Sequence, residues 1–346
     1  MKTAVMVDWK ADSQTRFWLS EELQHRGQET LLLGFDAYDP ADETSRFGMI
    51  RLWGRYLGLA IKGIKATRKG DTIIHWNFVA GAMGAFLCRV FFIKRKLIAL
   101  NMIAHRKGFL NAVLRKLVYN TAFGNKNLRV SVNDEQLAAQ YAQQFRFPVN
   151  RMFVLHDAYD DNYKQAAYSE TGGYVFTGGD AFRDWEGLIR CAEELPAMQF
   201  IGVARKKNFP EGKKWPENLR MYFDTPQAQF YELLENSRIV FLPLNSTAPC
   251  GLIVMIRAAL LSKPVIITHT PSTRNYVEEG VSGRLTRIND IADMKRALTE
   301  LDTSPEQRKQ FALNLKEHIT RNFSTRNNAA IIDRVIREQR SNTAKP

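Results

Sequence analysis

The stretch Pro249–Gly283, PCGLIVMIRAALLSKPVIITHTPSTRNYVEEGVSG, decides the fold class of this chain. It follows the apolar run 239–242, and apolar residues then recur at 252, 255, 256, 259 and 260, the spacing of one helix face. Lys263–Pro264 next introduces the short apolar run 265–267, which has the composition of a buried strand. The order strand, loop, helix, strand predicts an α/β domain.

The start of this helix predicts an anion-binding site. Ser246 or Thr247 has a side chain suited to capping a helix, and Pro249 suits a first helical position, where no amide partner is needed. The free amides near Gly251 and Leu252 would then face the carboxyl edge of the sheet, together with the positive end of the helix dipole. Open α/β folds bind anionic ligands at that edge. An ordinary capped helix without a ligand is the alternative that these residues leave open.

From Pro264 to Gly283 the stretch resembles the donor-domain signature of family 4 glycosyltransferases, which have the two-domain GT-B fold. The Pro-Val-Ile core that begins at Pro264, the block Tyr276–Gly280 and the closing Gly283 all fall in the frame of that signature. The resemblance implies an α/β chain of two Rossmann-like domains that face each other across a cleft. It also implies that the C-terminal domain binds a nucleotide-sugar donor.

Two pairs of positions depart from the family pattern. The paired glutamates of the signature would fall on Pro249 and Arg257, and its glycine pair would fall near Pro271 and Ser272. The usual carboxylate contacts to the donor sugar and ribose are therefore not carried over. Arg257 either donates to a ribose or phosphate oxygen of the donor or faces water. In lacking the glutamate pair, the chain is similar to divergent bacterial exopolysaccharide transferases of the xanthan glucuronosyltransferase type.

A glycine-rich turn upstream resembles another family landmark. Residues 173–185, GYVFTGGDAFRDW, combine a strand, the Gly178-Gly179 turn and a basic residue before a helix. Arg183 lies close to the place of the family lysine that reaches the donor diphosphate, whereas Gly179 replaces the family arginine. We therefore predict that Arg183 binds the diphosphate; a solvated surface arginine is the alternative.

Further landmarks follow in the family order. Residues 198–205 resemble the second donor-domain strand, and residues 231–243 resemble a helix followed by a strand that ends in proline. Residues 219–223 resemble the strand whose exit holds the base, at Tyr222 and Phe223. The basic residues that follow the second strand are further candidates for the donor phosphates, although each is also typical of a solvated surface. They are Arg205, Lys206 and Lys207.

Length and composition predict two domains. A chain of 346 residues that is 45% hydrophobic suits two cores better than one. We predict an acceptor domain over 1–155, a donor domain over 156–325, and a C-terminal helix with a short tail over 326–346 that packs back across the cleft. In the first domain, apolar runs at 3–7, 29–33, 71–77, 97–103 and 128–132 predict parallel strands. The first run also argues against a signal peptide.

Charge is concentrated in the first domain. Residues 1–150 hold 22 Lys and Arg against 12 Asp and Glu, and the net charge of the chain is +13. Between Thr72 and Asn133 there are ten basic residues and no acidic one, interleaved with the apolar runs 86–93 and 109–118. This pattern favours binding to an anionic membrane surface. Core helices with solvated lysines are the alternative. Nucleic acid is not expected as a partner, because no nucleic-acid recognition motif is present.

Candidate catalytic residues lie after strands. His105 follows the predicted strand 97–103, at the place where the family carries a histidine that reaches the donor sugar; a hydrogen-bonded strand-end histidine is the alternative. An inverting transferase needs a carboxylate base, and Asp8, Asp12 and Asp157 lie in suitable loops, with Asp8 closest to a strand end. A retaining enzyme needs none. No metal site is expected, because the chain has no Asp-x-Asp pair and its three cysteines lie far apart. No cofactor is expected, since the nucleotide sugar is a substrate.

These features lead to one principal functional hypothesis. The chain is expected to be a metal-independent hexosyl- or glycuronosyltransferase, which moves a sugar from a nucleotide-sugar donor to a lipid-linked saccharide or lipid acceptor for surface polysaccharide. The expected location is the inner face of the cytoplasmic membrane, to which the protein would bind peripherally. A nucleotide-sugar 2-epimerase and a non-catalytic nucleotide-sugar or polyanion-binding protein of the same fold are the alternatives.

Overall fold

The computed structural model describes residues 1–11, 15–34, 48–102, 109–170, 172–209, 212 and 214–341, with the backbone alone at 49 and 109–115. The chain divides into two compact units. Unit 1 contains residues 1–156 and the C-terminal segment from Thr325, and unit 2 contains Asp157–Ser324. Packing of the C-terminal segment across a cleft stays a prediction.

Unit 1 is built on a parallel sheet of six strands with the order β2-β1-β3-β4-β5-β6. The strands are β1 (Lys2–Val7), β2 (Glu29–Gly34), β3 (Thr72–His75), β4 (Lys96–Ala99), β5 (Leu128–Val132) and β6 (Met152–Val154). The helices are α1 (Trp18–His25), α2 (Gly48–Ala66), α3 (Phe78–Val90), α4 (Phe109–Phe123), α5 (Glu135–Phe145) and, from the C-terminus, α11 (Thr325–Ser341).

The two faces of this sheet have separate cores. One core contains residues of α2, α3, α4 and α5, and the other contains residues of α1 and α11. The central strands β3 and β4 are buried throughout, as expected of parallel strands covered on both sides. Helix α3 approaches the sheet closely because Gly81 has no side chain: a Cβ atom there would lie 2.5 Å from that of Ala99.

Strand β4 is shorter than predicted. It ends at Ala99, whereas the apolar run suggested a strand as far as residue 103. Asn101 stops the strand because its backbone is left-handed, with φ of 60°, which asparagine tolerates. Its amide donates to the Ser131 hydroxyl at 2.9 Å, and its side-chain amide donates to the Trp76 carbonyl at 3.2 Å. His105 lies outside the described residues, as does Asp12, so the roles predicted for both stay predictions.

Unit 2 has a second parallel sheet of six strands, with the order β12-β11-β10-β7-β8-β9. The strands are β7 (Tyr174–Gly178), β8 (Gln199–Ala204), β9 (Leu219–Phe223), β10 (Ile239–Leu242), β11 (Val265–Thr268) and β12 (Arg284–Thr286). The helices are α6 (Trp185–Glu194), α7 (Gln227–Glu235), α8 (Leu252–Leu260), α9 (Ile291–Thr303) and α10 (Pro305–Asn322). The strand order reverses between β7 and β10, since β7 leads to β8 on one side and β10 leads to β11 on the other.

Helices cover both faces of the second sheet. Residues of α8 and α10 pack on one face, and residues of α6 and α9 pack on the other. Within the described ranges, no helix combines the length and the apolar character that crossing a bilayer requires.

Both sheets are parallel and covered by helices, so the loops after the strands share one edge of each sheet. Ligands of such sheets bind where the strand order reverses.

Candidate functional site

The loops after β7 and β10 meet at the point of reversal in unit 2. Arg183 and Leu244 form an isolated antiparallel bridge between the two loops. The Asp184 amide donates to the Pro243 carbonyl at 2.9 Å, and the Asn245 amide donates to the Phe182 carbonyl at 3.1 Å. These backbone bonds hold the two predicted donor-binding segments side by side.

The turn after β7 depends on its two glycines. A Cβ atom at Gly178 would lie 2.7 Å from the rings of Phe176 and Phe230, and Gly179 has φ of 112°. Phe182 also has a left-handed backbone, with φ of 52°. The side chain of Asp184 then caps α6 by accepting a bond from the Gly187 amide at 2.8 Å. This conformation turns Arg183 back toward the end of the strand.

Arg183 is a buried cation with incomplete hydrogen bonding. Arg183 is 3% exposed, and its Nη2 atom donates to the Gly178 carbonyl at 2.7 Å. Its Nε and Nη1 atoms have no hydrogen-bond partner within the described part of the chain. Burial lowers the pKa of Arg183 from 12.5 to about 10. The charge is thus desolvated, and no described carboxylate pairs with it; a bound anion would stabilise it.

The guanidinium lies beside the start of α8. A Cβ atom at Gly251 would be 3.5 Å from Nη1 of Arg183, and one at Gly179 would be 2.9 Å from Nη2. Gly251 is the N-cap residue, with φ of 76°, and no side chain among the described residues caps the helix. The first amides of α8 and the dipole of the helix therefore point toward the same place as the buried cation.

The predictions of the N-cap and of the first residue of α8 are wrong. The Ser246 hydroxyl accepts a bond from the Ala248 amide at 3.1 Å, so it stabilises the loop before the helix, and Thr247 is exposed. Pro249 precedes the N-cap by two residues. The left-handed conformation of Gly251 delays the start of the helix to Leu252, and a glycine at this point could have signalled such a turn.

A cavity of about 380 Å³ lies beside this turn, beyond the ends of β7, β8 and β9. Gly179, Ala204 and Phe230 are among its lining residues, and so are two further residues that form an ion pair. That pair joins Arg205 Nε to an Asp180 carboxylate oxygen at 3.2 Å on the surface. The charge of Arg205 is thus shared with a carboxylate, in contrast to that of Arg183.

Other predicted donor-binding residues have partners of their own. Lys206 is exposed, and its amide donates to Asp224 at 3.4 Å. The ring of Phe223 packs against Phe209 at 5.6 Å between centroids, and the Tyr222 ring lies under the guanidinium of Arg220. These contacts explain the two aromatic residues at the end of β9 structurally, and a role for them in holding a base stays a prediction.

Arg257 neither projects freely into water nor lies at the uncapped helix end. Its guanidinium carbon is 3.2 Å from the ring centroid of Tyr163 and 4.5 Å from that of Tyr231. The cation is thus held between two aromatic rings. Sequence patterns could not reveal this arrangement, because the three residues come from distant parts of unit 2.

The carboxylates proposed as bases lie in different surroundings. Asp8 follows β1 and accepts a bond from the Asn77 side chain at 3.0 Å, at the point where the strand order of unit 1 reverses. Asp157 begins unit 2, and its backbone carbonyl accepts a bond from the Tyr276 hydroxyl at 3.1 Å. Burial raises the pKa of the Asp157 carboxyl to about 6.

Cys250 directly precedes Gly251, the N-cap residue of α8. It is 7% exposed, and burial raises the pKa of its thiol to about 11, although the charge of Arg183 acts in the opposite direction. A thiol in this state is poorly nucleophilic at neutral pH.

Within the described ranges, no group of three or more His, Cys, Asp or Glu residues is arranged to hold a metal ion.

Comparison with solved structures supports the fold. Sucrose-phosphate synthase from Thermosynechococcus elongatus matches with a TM-score of 0.73 at 13% identity, over 99% of this chain and 100% of that chain. HepE of Anabaena, solved in complex with UDP and glucose, matches with a TM-score of 0.69 at 16% identity, over 98% and 99% of the two chains. A glycosyltransferase from Rickettsia africae matches with a TM-score of 0.69 at 10% identity, over 97% and 98%.

Comparison of sequences finds similarity over a smaller part of the chain. A search of curated proteins found no match to the chain. Residues 201–318, which include β10, α8 and β11, match the family model described as Glycosyl transferases group 1. The chain therefore has the GT-B fold, and the matched part of unit 2 is similar in sequence to the glycosyl transferases group 1 family.

Proposed function

We propose that this protein is a glycosyltransferase that uses a nucleotide-sugar donor, and that unit 2 binds the donor diphosphate. The observation that carries the proposal is the buried guanidinium of Arg183 beside the start of α8. Two of its nitrogen atoms have no hydrogen-bond partner, and the helix has no side-chain cap, among the residues that the structure describes. A diphosphate oxygen would supply the missing acceptors. The complex of HepE with UDP and glucose supports a UDP-sugar as the donor class.

The proposed chemistry is sugar transfer to a hydroxyl group. The acceptor oxygen forms a bond to the anomeric carbon of the donor, while the bond from that carbon to the diphosphate oxygen breaks. The electron pair of the broken bond leaves with the nucleoside diphosphate. Arg183 and the α8 amides stabilise the negative charge that develops there, because they are oriented before the reaction in a site with little water.

The proton of the acceptor hydroxyl requires a base if the configuration is inverted. Asp8 is the carboxylate that we propose for this role, since it follows a strand at the reversal point of unit 1 and is oriented by Asn77. The conservative variant Asp8→Asn keeps the size of the side chain and removes its basicity. The exposed Asp161 offers a matched control, Asp161→Asn.

A lipid or lipid-linked saccharide is the proposed acceptor, and surface polysaccharide is the proposed product. The run without acidic residues between Thr72 and Asn133 supports association with an anionic membrane at its cytoplasmic face. Exposed aromatic side chains within this run add to that support: Phe91 is 65% exposed and Phe92 is 88% exposed. Water-soluble acceptors would not require such a surface.

Nucleotide release tests the proposal. The protein is incubated with UDP-, GDP- and dTDP-sugars, with and without membrane lipid extract, and the released nucleotide and the sugar-containing product are measured. We expect release of UDP with transfer of the sugar to an acceptor, and a loss of more than about 100-fold in turnover for Asp8→Asn but not for Asp161→Asn. Absence of both binding and release with every donor would refute the transferase function, and an altered sugar still attached to its nucleotide would indicate an epimerase.

A further inference from the structure

A basic cavity lies at the amino edge of the sheet in unit 1, away from the strand ends where Asp8 lies. The chain enters β5 and β6 through the segments 124–127 and 146–151, which border this cavity. The cavity has a volume of about 610 Å³ and is lined by three cations, Lys116, Arg146 and Arg151, but by no carboxylate. Its charge therefore suits an anionic group.

Arg151 is a fixed cation in the wall of this cavity. Its Nη1 donates to the Asn125 carbonyl at 2.7 Å and its Nη2 to the Phe123 carbonyl at 2.9 Å. Its guanidinium also lies over the Phe147 ring, 4.5 Å from the centroid. Burial lowers the pKa of Arg151, and the charge of Arg129 lowers it further. Among the described residues, the groups in contact with this charge are neutral, and the charge that acts on it is another cation.

The other two cations are exposed at the mouth of the cavity. Neither Lys116 nor Arg146 forms an ion pair with a residue in the described part of the chain. Arg89, at the end of α3, donates to the carbonyl of Gly124, which also lines the cavity. The end of α3 is thereby joined to the rim, so that the charged mouth and the segment after α3 form one surface.

Exposed apolar side chains lie close in the sequence to the residues that line or border the cavity. Phe91 and Phe92 follow α3 and are 65% and 88% exposed. Leu117, next to Lys116, is 61% exposed, and Val149, next to the lining residue Pro148, is 57% exposed. An anionic soluble ligand would need the cations but not these four side chains. A lipid surface would contact both, because its phosphates lie above its acyl chains.

Two residues of this surface are also strained in the folded chain. Phe92 has φ of 54° and Arg146 has φ of 50°, and both follow the end of a helix, where glycine is usual. Neither exposed side chain compensates for this strain by burial within unit 1. A benefit outside the folded domain, such as contact with a membrane, would account for their presence.

We propose that this cavity binds the phosphate of an anionic lipid headgroup, while the side chains of Phe91 and Phe92 insert among the lipids. The site, which we call the headgroup cavity, is lined by Lys116, Arg146 and Arg151. The proposal rests on the membrane association in the proposed function, and it specifies which surface of unit 1 makes the contact.

Vesicle sedimentation tests the role of the cations. The vesicles contain equal parts of phosphatidylglycerol and phosphatidylcholine, or phosphatidylcholine alone. We expect the double variant Lys116→Gln/Arg146→Gln to bind the anionic vesicles about 30-fold more weakly than the wild type. The matched control is Lys214→Gln/Lys309→Gln, which removes two exposed charges from unit 2. Equal weakening by both pairs would overturn the proposal, since it would indicate only an effect of net charge.

A second variant separates lipid contact from a structural role. Phe92→Gly/Arg146→Gly removes two lipid-facing side chains and relieves two left-handed positions. We therefore expect Tm to rise by about 2–4 °C per site while vesicle binding falls. A structural role would lower Tm instead, and unchanged vesicle binding would overturn the proposal.

Binding experiments with soluble ligands distinguish a lipid site from other anion-binding sites. At constant ionic strength, inorganic phosphate should compete with vesicles only weakly, because it cannot contact the exposed side chains of Phe91 and Phe92. Tight binding of phosphate without vesicle binding would overturn the lipid assignment. The assignment would also be overturned if Lys116→Gln/Arg146→Gln abolished binding to single-stranded DNA but left vesicle binding unchanged. Binding of UDP to the wild type, measured by calorimetry, tests the donor site separately, so failure of one site is distinguishable from failure of the other.

Discussion

Replacement of Arg183 by methionine should separate ligand binding from fold stability. The substitution keeps a flexible, unbranched side chain, although a shorter one, and removes the positive charge and the bond from Nη2 to the Gly178 carbonyl. Because Arg183 is 3% exposed, solvent cannot replace what the variant loses. The two consequences for the unliganded protein have opposite signs, and both follow from the structure.

The charge itself destabilises the unliganded fold. Its pKa falls from 12.5 to about 10, and each unit corresponds to about 1.4 kcal/mol, so the desolvated charge costs about 3 kcal/mol. Since the folded-state and unfolded-state pKa values both lie far above 7, the whole penalty is present at neutral pH. Loss of the hydrogen bond costs about 1.5–3 kcal/mol in the variant. We therefore expect the free energy of unfolding of Arg183→Met to lie within about 1.5 kcal/mol of the wild type.

Ligand binding should respond very differently. If the guanidinium contacts the diphosphate, its loss removes one partner of a buried charge pair, which costs about 2–5 kcal/mol, or about 30-fold to 5000-fold in the Kd for UDP. Calorimetry measures the Kd, and urea unfolding measures the stability. Arg190→Met, on the exposed side of α6, is the matched control and should change neither quantity appreciably.

Two results would refute this reasoning. A Kd for UDP within about threefold of the wild type would mean that Arg183 does not bind the diphosphate. A loss of about 4 kcal/mol or more in stability would mean that the buried cation is a structural element and that its unpartnered nitrogen atoms do not indicate a ligand.

Three further outcomes are expected. Gly251→Ala should lose about 1–2 kcal/mol of stability because φ is 76°, and should weaken UDP binding; Gly27→Ala, with φ of 81° in open space, should lose stability alone. Arg257→Gln should lose about 1–2 kcal/mol by urea unfolding, since two tyrosine rings enclose the cation; weaker UDP binding at unchanged stability would favour a donor contact instead. Burial lowers the pKa of His75 to about 3, so its unfolded state gains a proton as pH falls below 6.5. Relative to His75→Asn, the wild type should lose about 2 kcal/mol between pH 7 and pH 5, and an equal pH dependence of the two proteins would contradict that pKa.

The strand pattern of the sequence was sufficient to predict the α/β class and the parallel strands. Apolar runs of four or five residues, such as Val265–Thr268, are buried on both faces of their sheet, so composition alone distinguishes them. The strand order was not accessible in this way, because pairing between β7 and β10 joins segments that are distant in the sequence. The point of reversal, which brings the two predicted donor-binding segments together, required the structure.

Local conformation accounts for most of the errors. Asn101 ends β4 and Gly251 delays α8, in both cases through a left-handed backbone. Side-chain periodicity does not detect a single residue of this kind, because hydrophobic spacing continues on either side of it. The partners of Arg257 were inaccessible for a different reason: Tyr163 and Tyr231 approach it only after unit 2 has folded.

The proposed sites coincide with places where side chains or backbone are poorly suited to the folded state alone. A methionine would serve the interior at Arg183 without the cost of a desolvated charge, and glycine would suit Phe92 and Arg146 better than the residues present. The left-handed residues Asn101 and Asn289 need no such explanation, because asparagine adopts this conformation readily. The distinction matters since strain and buried charge persist when a further interaction offsets them. A phosphate group would offset both kinds of defect: the diphosphate of a donor at Arg183, and the headgroup of a lipid at Arg146.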